Sequence, residues 1–262
     1  MRDTSSQLRN ALGFGAATAW LFLLATPIAA AQEAMDPDAA SVLASMQTYL
    51  GGLQSFTAQY DVEIDTVGHQ GEKLKFLSSG ELVVERPGRL YASRKGAFAN
   101  AEFFLDGTNV TIFGSRVKGY IQFPATTIDE AIDALRDNTG FDAPGADLLS
   151  GKPLDSTVTD MASGAHIGMT YVDGVEVHHL AFRGKTVDWQ LWVKAGDQPL
   201  PLKYVITSKW VFGAPQYSLH ISDWNVAPQI EAARFTFTPP AGAELLSEVK
   251  VNDIGEFGGE EE

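Results

Sequence analysis

The chain has 262 residues, of which 45% are hydrophobic, contains no cysteine and carries a net charge of −14 at neutral pH. Without cysteine there is no disulfide, no thiol catalysis, no cysteine-ligated metal and no lipidation of a mature N-terminal cysteine. The acidic balance repels phosphate backbones and anionic lipid surfaces, which argues against nucleic-acid binding and against an electrostatic membrane anchor.

Residues 1–31 read as a secretory signal, with Arg2 and Arg9 as the basic region, an apolar stretch from Ala11 to Ala25, and Ala29-Ala30-Ala31 before Gln32. Gly13, Gly15, Thr18 and Thr26-Pro27 dilute the apolar stretch below what a retained span of about 20 residues needs. Arg2 and Arg9 are too far apart for a twin-arginine signal, so export unfolded, with no cofactor loaded beforehand, is expected. Cleavage removes Arg2, Arg9 and Asp3 among the charges, which takes −14 to −15 and leaves 231 residues. That length suits a single all-β domain over 32–248, followed by an acidic tail over 249–262 with too little apolar mass to pack.

Asp36-Pro37 opens a helix whose apolar positions are Ala39, Val42, Leu43, Met46 and Leu50, and Gly51-Gly52 closes it. The period then becomes two, with Phe56, Ala58, Tyr60, Val62 and Ile64 alternating with polar residues. Turn signals such as Val67-Gly68, Pro87-Gly88, Asp106-Gly107, Asp173-Gly174 and Gly196-Asp197 then punctuate about a dozen strand-like runs. They include Lys73 to Glu85, Leu90 to Lys95, Lys203 to Phe212, Tyr217 to Trp224 and Arg234 to Thr238. Thr127 and Glu130 form a capping box before Ile128, Ala131, Ile132 and Leu135, a second helix, and Pro144 to Leu149 suits a third, shorter one.

So many twisted antiparallel strands curl, close or split. The expected fold is mainly β with a few helices: a large curved antiparallel sheet, forming an incomplete barrel with a helical lid. Ligand-facing positions, picked by alternation, are Trp189, Leu191 and Val193; Tyr204, Ile206, Trp210 and Phe212; and Tyr217, Leu219 and Ile221. Ile132 and Leu135 would face them from the lid. The same alternation equally suits a core filled by side chains.

Catalytic motifs are missing: there is no phosphate loop, His-Glu-x-x-His, nucleophile elbow or Cys-His pair. The adjacent His178 and His179 point to opposite faces of a strand and cannot share a metal, whereas Glu176 and His178 share a face but need a third ligand. Asp129, Glu130, Asp133 and Asp137 read as a solvated helix face. No metal site, cofactor or enzymatic activity is expected.

Several segments carry a family resemblance, in order along the chain: Leu53 to Tyr60, Gly80-Glu81-Leu82 leading into Arg86-Pro87-Gly88-Arg89-Leu90, Thr127 to Ala131, Ala146 to Leu149, His178 to Phe182, Pro199 to Lys203 and Phe235 to Ala243. The pattern resembles the DUF2092 family of predicted periplasmic proteins. That family is similar in architecture to the LolA and LolB lipoprotein carriers and the N-terminal domain of the RseB stress regulator. The resemblance implies an unclosed barrel with a helical lid around an apolar cavity, and places Arg86 like the arginine that latches the LolA lid. As a turn residue beside Pro87, Arg86 has a plainer role open to it. The resemblance implies a periplasmic, monomeric, non-enzymatic binder of a lipid, acyl chain or lipoprotein-like cargo. Two other readings stay open: a sensor or assembly factor binding an envelope protein, and an envelope hydrolase with a dispersed site.

Overall fold

The structure, a computed structural model, describes residues 35–97, 100–141, 143–159, 161–247, 250–251 and 257–258. The signal read over 1–31 lies outside them, as does most of the tail, within which Lys250–Val251 pairs antiparallel with Phe257–Gly258.

Asp36 caps α1 (Pro37–Gly52), its carboxylate accepting from the Asp38 amide at 2.9 Å, and Pro37 fills the first turn, where a missing N–H costs nothing. Two meanders follow. The first runs through β1 (Ser55–Val67), β2 (Lys73–Glu85), β3 (Arg89–Gly96), β4 (Asn100–Leu105), β5 (Asn109–Gly114) and β6 (Gly119–Pro124). The second runs through β7 (Met161–Val172), β8 (Val175–Gly184), β9 (Val187–Lys194), β10 (Pro201–Ser208) and β11 (Gln216–Asn225). They join where β1 pairs with β11, and a twelfth strand, β12 (Glu244–Leu245), completes one sheet in the order β12-β6-β5-β4-β3-β2-β1-β11-β10-β9-β8-β7. β12 lies parallel to β6, and every other pairing in the sheet is antiparallel. The sheet is large, open and curved, as twist demands of so many strands.

Because β6 lies toward one edge and β7 forms the other, the chain between them must cross the sheet. It does so through α2 (Ile128–Thr139), a 3₁₀ turn at Ala146–Leu149 and α3 (Asp155–Thr159). Thr127 caps α2 by accepting from the Glu130 amide, while the Glu130 carboxylate reaches back to the amide and hydroxyl of Thr126 rather than to the cap residue. Gly140, at φ +70°, closes α2 in the left-handed conformation that glycine adopts without strain. Among the described residues no helix is long and apolar enough to cross a membrane.

Two strand assignments need correction. Alternation predicts one strand over Lys203 to Phe212, but β10 ends at Ser208, and Trp210 and Phe212 stand in the following turn, 77% and 78% exposed. The turn is shaped by Gly213 (φ +78°) and Ala214 (φ +43°), and the alternation of Tyr204, Ile206, Trp210 and Phe212 runs on past the end of the ladder. Arg234 to Thr238 is also no strand. Phe235 ends a 3₁₀ turn (Ala232–Phe235) and packs with Val83 and Tyr91, and Phe237 meets Phe104, Phe113 and Tyr120 with ring centroids 5.0–5.6 Å apart. These rings cover apolar positions on the outer face without joining the ladder.

Candidate functional site

Strand register sorts the inner face into two halves of different character. On β8, β9 and β10 the inward positions are bulky: Phe182 stacks on Trp189 at 3.9 Å between centroids, and Trp189 meets Tyr204 edge-on at 5.9 Å. Across them lies α1, burying Ala39, Leu43, Met46 and Leu50. Interlocked aromatic rings and a helix leave this half solid. On β1, β3 and β4 the inward positions include Ala58, Ala92 and Ala101, side chains too short to reach the cover above them.

The result is a cavity of about 230 Å³ under the β6-to-β7 crossing. Its floor includes Tyr60, Leu82, Leu90, Phe103 and Ile112, and its cover Ile132, Leu135, Phe141 and Leu148. The expectation of a vacancy and that of a filled core are each met in one half.

Of the twelve ligand-facing residues read from the sequence, Tyr217, Leu219, Ile221, Ile132 and Leu135 line the cavity. Trp189, Leu191 and Tyr204 do not: they are buried at 2% exposure or less in the solid half, where other side chains of the core rather than a ligand pack against them. Ile206 packs at the border of that core, and Val193 is buried within it. Trp210 and Phe212 face solvent, as described above. The floor from β1 to β5, Arg94 included, escapes the sequence reading. Its signal is present as small inward residues on successive strands, opposite to what a filled core requires.

Arg86 follows β2 and donates from Nη1 to the Leu149 carbonyl, tying the 3₁₀ turn of the crossing to the sheet. Its guanidinium lies 5.9 Å from the centre of the Phe56 ring. Burial lowers its pKa, and the nearby Asp129 carboxylate opposes that shift. The latch position implied by resemblance therefore fastens the turn after α2, not α2 itself.

The polar groups at the hollow are few. Tyr60 donates to the Ser93 carbonyl at 2.7 Å, and burial pushes its pKa up to about 12, with Arg94 pulling the other way. Tyr217 is raised further by the same desolvation, again opposed by Arg94. Both phenols therefore stay neutral near pH 7. The Glu102 carboxylate turns to the outer face, where it accepts from the Tyr91 hydroxyl at 2.7 Å.

His178 and His179 lie on opposite faces of β8. His179 stacks on Trp192 at 4.4 Å and contacts Gln190, while His178 Nδ1 lies 3.1 Å from His166 Nε2. Among the described residues no group of three or more metal-ligating side chains comes together. Desolvation holds His178 below its usual 6.5, His166 adds to this and Glu176 opposes it. A histidine depressed in the fold takes its proton first in the unfolded chain, so the stability it contributes is present above about pH 6.5 and lost as pH falls toward its folded value. The urea midpoint is expected to fall between pH 7 and 5, and to fall less in His178→Gln; an identical decline in both would refute the assignment.

An open β sheet with a helical crossing that encloses an apolar hollow defines a lidded half-barrel. The chain belongs to the DUF2092 family, described as predicted periplasmic proteins, which matches residues 39–247. No curated protein matches it in sequence. Among solved structures it is similar to an uncharacterized conserved protein from Thermus thermophilus (10% identity, TM-score 0.48, covering 80% of this chain and 98% of that one). It is also similar to the lipoprotein LppX of Mycobacterium tuberculosis (11%, 0.46, 75% and 100%) and to a LolA superfamily protein of Nitrosomonas europaea (11%, 0.39, 76% and 97%). Identities this low transfer no function.

Proposed function

We propose that this protein is a periplasmic, non-enzymatic binder of a hydrophobic ligand, carrying one acyl chain in the hollow beneath the crossing. The observation that supports it is the unfilled, almost wholly apolar cavity between small inward side chains and the crossing. At about 230 Å³ it exceeds the ~150 Å³ that accommodates benzene in an engineered core, and falls below the ~300 Å³ at which drug-sized pockets begin. That size suits one narrow chain rather than several. Each methylene moved from water into such a space gains about 0.8 kcal/mol, so a chain of roughly a dozen carbons gains on the order of 10 kcal/mol of shelter. None of the five histidines lines the cavity, and its wall presents hydrocarbon, phenols and a guanidinium, a poor setting for hydrolysis. Arg86, by holding Leu149, keeps the cover in place.

A second reading, docking of an envelope protein, is favoured by the edge strand β7, where Ile167, Met169 and Tyr171 are exposed beside unpaired backbone. One experiment separates the two. Mild purification from the native envelope followed by mass spectrometry is expected to recover a lipid or fatty acid, and the stripped protein to bind a fluorescent fatty acid. Neither signal, with a stoichiometric envelope protein in the same preparation, would replace the carrier by the docking role.

A further inference from the structure

The hollow is oily everywhere but at one end. On β3 the inward positions are Leu90, Ala92 and Arg94, spanning about 13 Å at ~3.3 Å per residue, so the guanidinium sits at the end of the floor away from the Pro87 turn. Its Nε donates to the Ser78 hydroxyl at 2.8 Å, which fixes the head of the side chain and leaves its two terminal nitrogens for another acceptor. Among the described residues no carboxylate lies within ion-pair distance of Arg94, whereas Arg89, Arg136 and Arg234 are matched with Glu85, Asp133 and Glu81. In the crossing, the Asp147 carboxylate accepts from the Thr157 hydroxyl at 2.6 Å. Beside Arg94 stands Tyr217, partly accessible inside the hollow, whose hydroxyl makes no hydrogen bond among the described residues.

Arg94 is half-buried, and a guanidinium that has given up part of its hydration beside hydrocarbon gains from a partner of opposite charge. Arginine offers a carboxylate or phosphate two parallel donors, and the phenol adds a third. The acidic surface of the protein opposes an approaching anion, but over distances beyond about 8 Å salt screens that repulsion, while a contact pair in a partly desolvated site is screened far less. We propose that Arg94 receives the anionic head of a single-chain amphiphile whose hydrocarbon tail fills the hollow. This rests on the hydrophobic-binder reading and adds the class of head group, carboxylate or phosphate.

The test compares three probes of one chain length, dodecanoate, dodecyl phosphate and dodecanol, by calorimetry on the stripped full-length protein, Arg94→Gln and Arg94→Lys. The unaltered protein is expected to bind at least one anion about tenfold more tightly than dodecanol, the two anionic arms telling carboxylate from phosphate. Arg94→Gln should lose that tenfold and keep its affinity for dodecanol within about twofold, and Arg94→Lys should recover part of it. Equal affinity for all three probes, or a preference for anions that survives in Arg94→Gln, overturns the assignment and leaves the hydrophobic binder standing. So does an equal loss of all three in Arg94→Gln when its unfolding temperature is unchanged. Failure of every probe to bind the unaltered protein overturns both.

Discussion

Trp189→Ala is expected to lower the unfolding temperature by roughly 10 °C and to leave ligand binding within about twofold of normal. Trp189 is 2% exposed, stacked on Phe182 and set edge-on to Tyr204, in the same buried core as the apolar face of α1. Removing a buried tryptophan costs about 3–5 kcal/mol, because the lost transfer energy is joined by a void that fixed neighbours do not close. For a domain of this size each kcal/mol is worth about 2–4 °C. The indole belongs to the solid half, so its loss should not reach the cavity wall. A shift under about 2 °C in a thermal melt would mean that the solid half is loosely packed. Loss of binding at unchanged stability would mean instead that Trp189 touches the ligand, as its place in the alternation first suggests.

The contrast between what alternation predicts for Trp189 and where the residue lies shows how far a sequence reaches here. Alternation marks β2 over Lys73 to Glu85 as it stands, and the Asp36-Pro37 and Thr127-Glu130 signals mark both main helices. These are local facts, fixed by period and capping. Whether an inward residue meets a ligand or a helix is set by where the cover lands, and that depends on β6 and β7 lying toward opposite edges of one sheet. Periodicity carries no information about that. Nor does it say where a ladder stops, which is why Trp210 and Phe212 keep step with Tyr204 and Ile206 while standing in solvent. Size does carry information: Ala58, Ala92 and Ala101 on one side against Phe182, Trp189 and Tyr204 on the other distinguish a hollow from a filled half once the strand order is known.

The same residue change in the two halves should therefore have opposite consequences. Ala92 projects from β3 between Leu82 and Phe103 on the cavity floor, where part of its surface is accessible. In Ala92→Phe the new ring, about the size of the benzene that a ~150 Å³ cavity accepts, takes most of a 230 Å³ hollow. Binding of a fluorescent fatty acid is expected to fall at least tenfold, with the unfolding temperature unchanged within about 2 °C or raised, since the ring gains contacts in an empty space. Ala39, on α1, has no exposed surface and faces the solid half. Ala39→Phe has nowhere to go without moving its neighbours, and overpacking of that kind costs about 1–3 kcal/mol, a fall of about 2–12 °C. If Ala92→Phe destabilises as Ala39→Phe does and the fatty acid still binds, the space above β3 is already occupied by the protein's own atoms. Stability held in the first variant, lost in the second, and binding lost only in the first is the combination that an empty chamber beside a packed core requires.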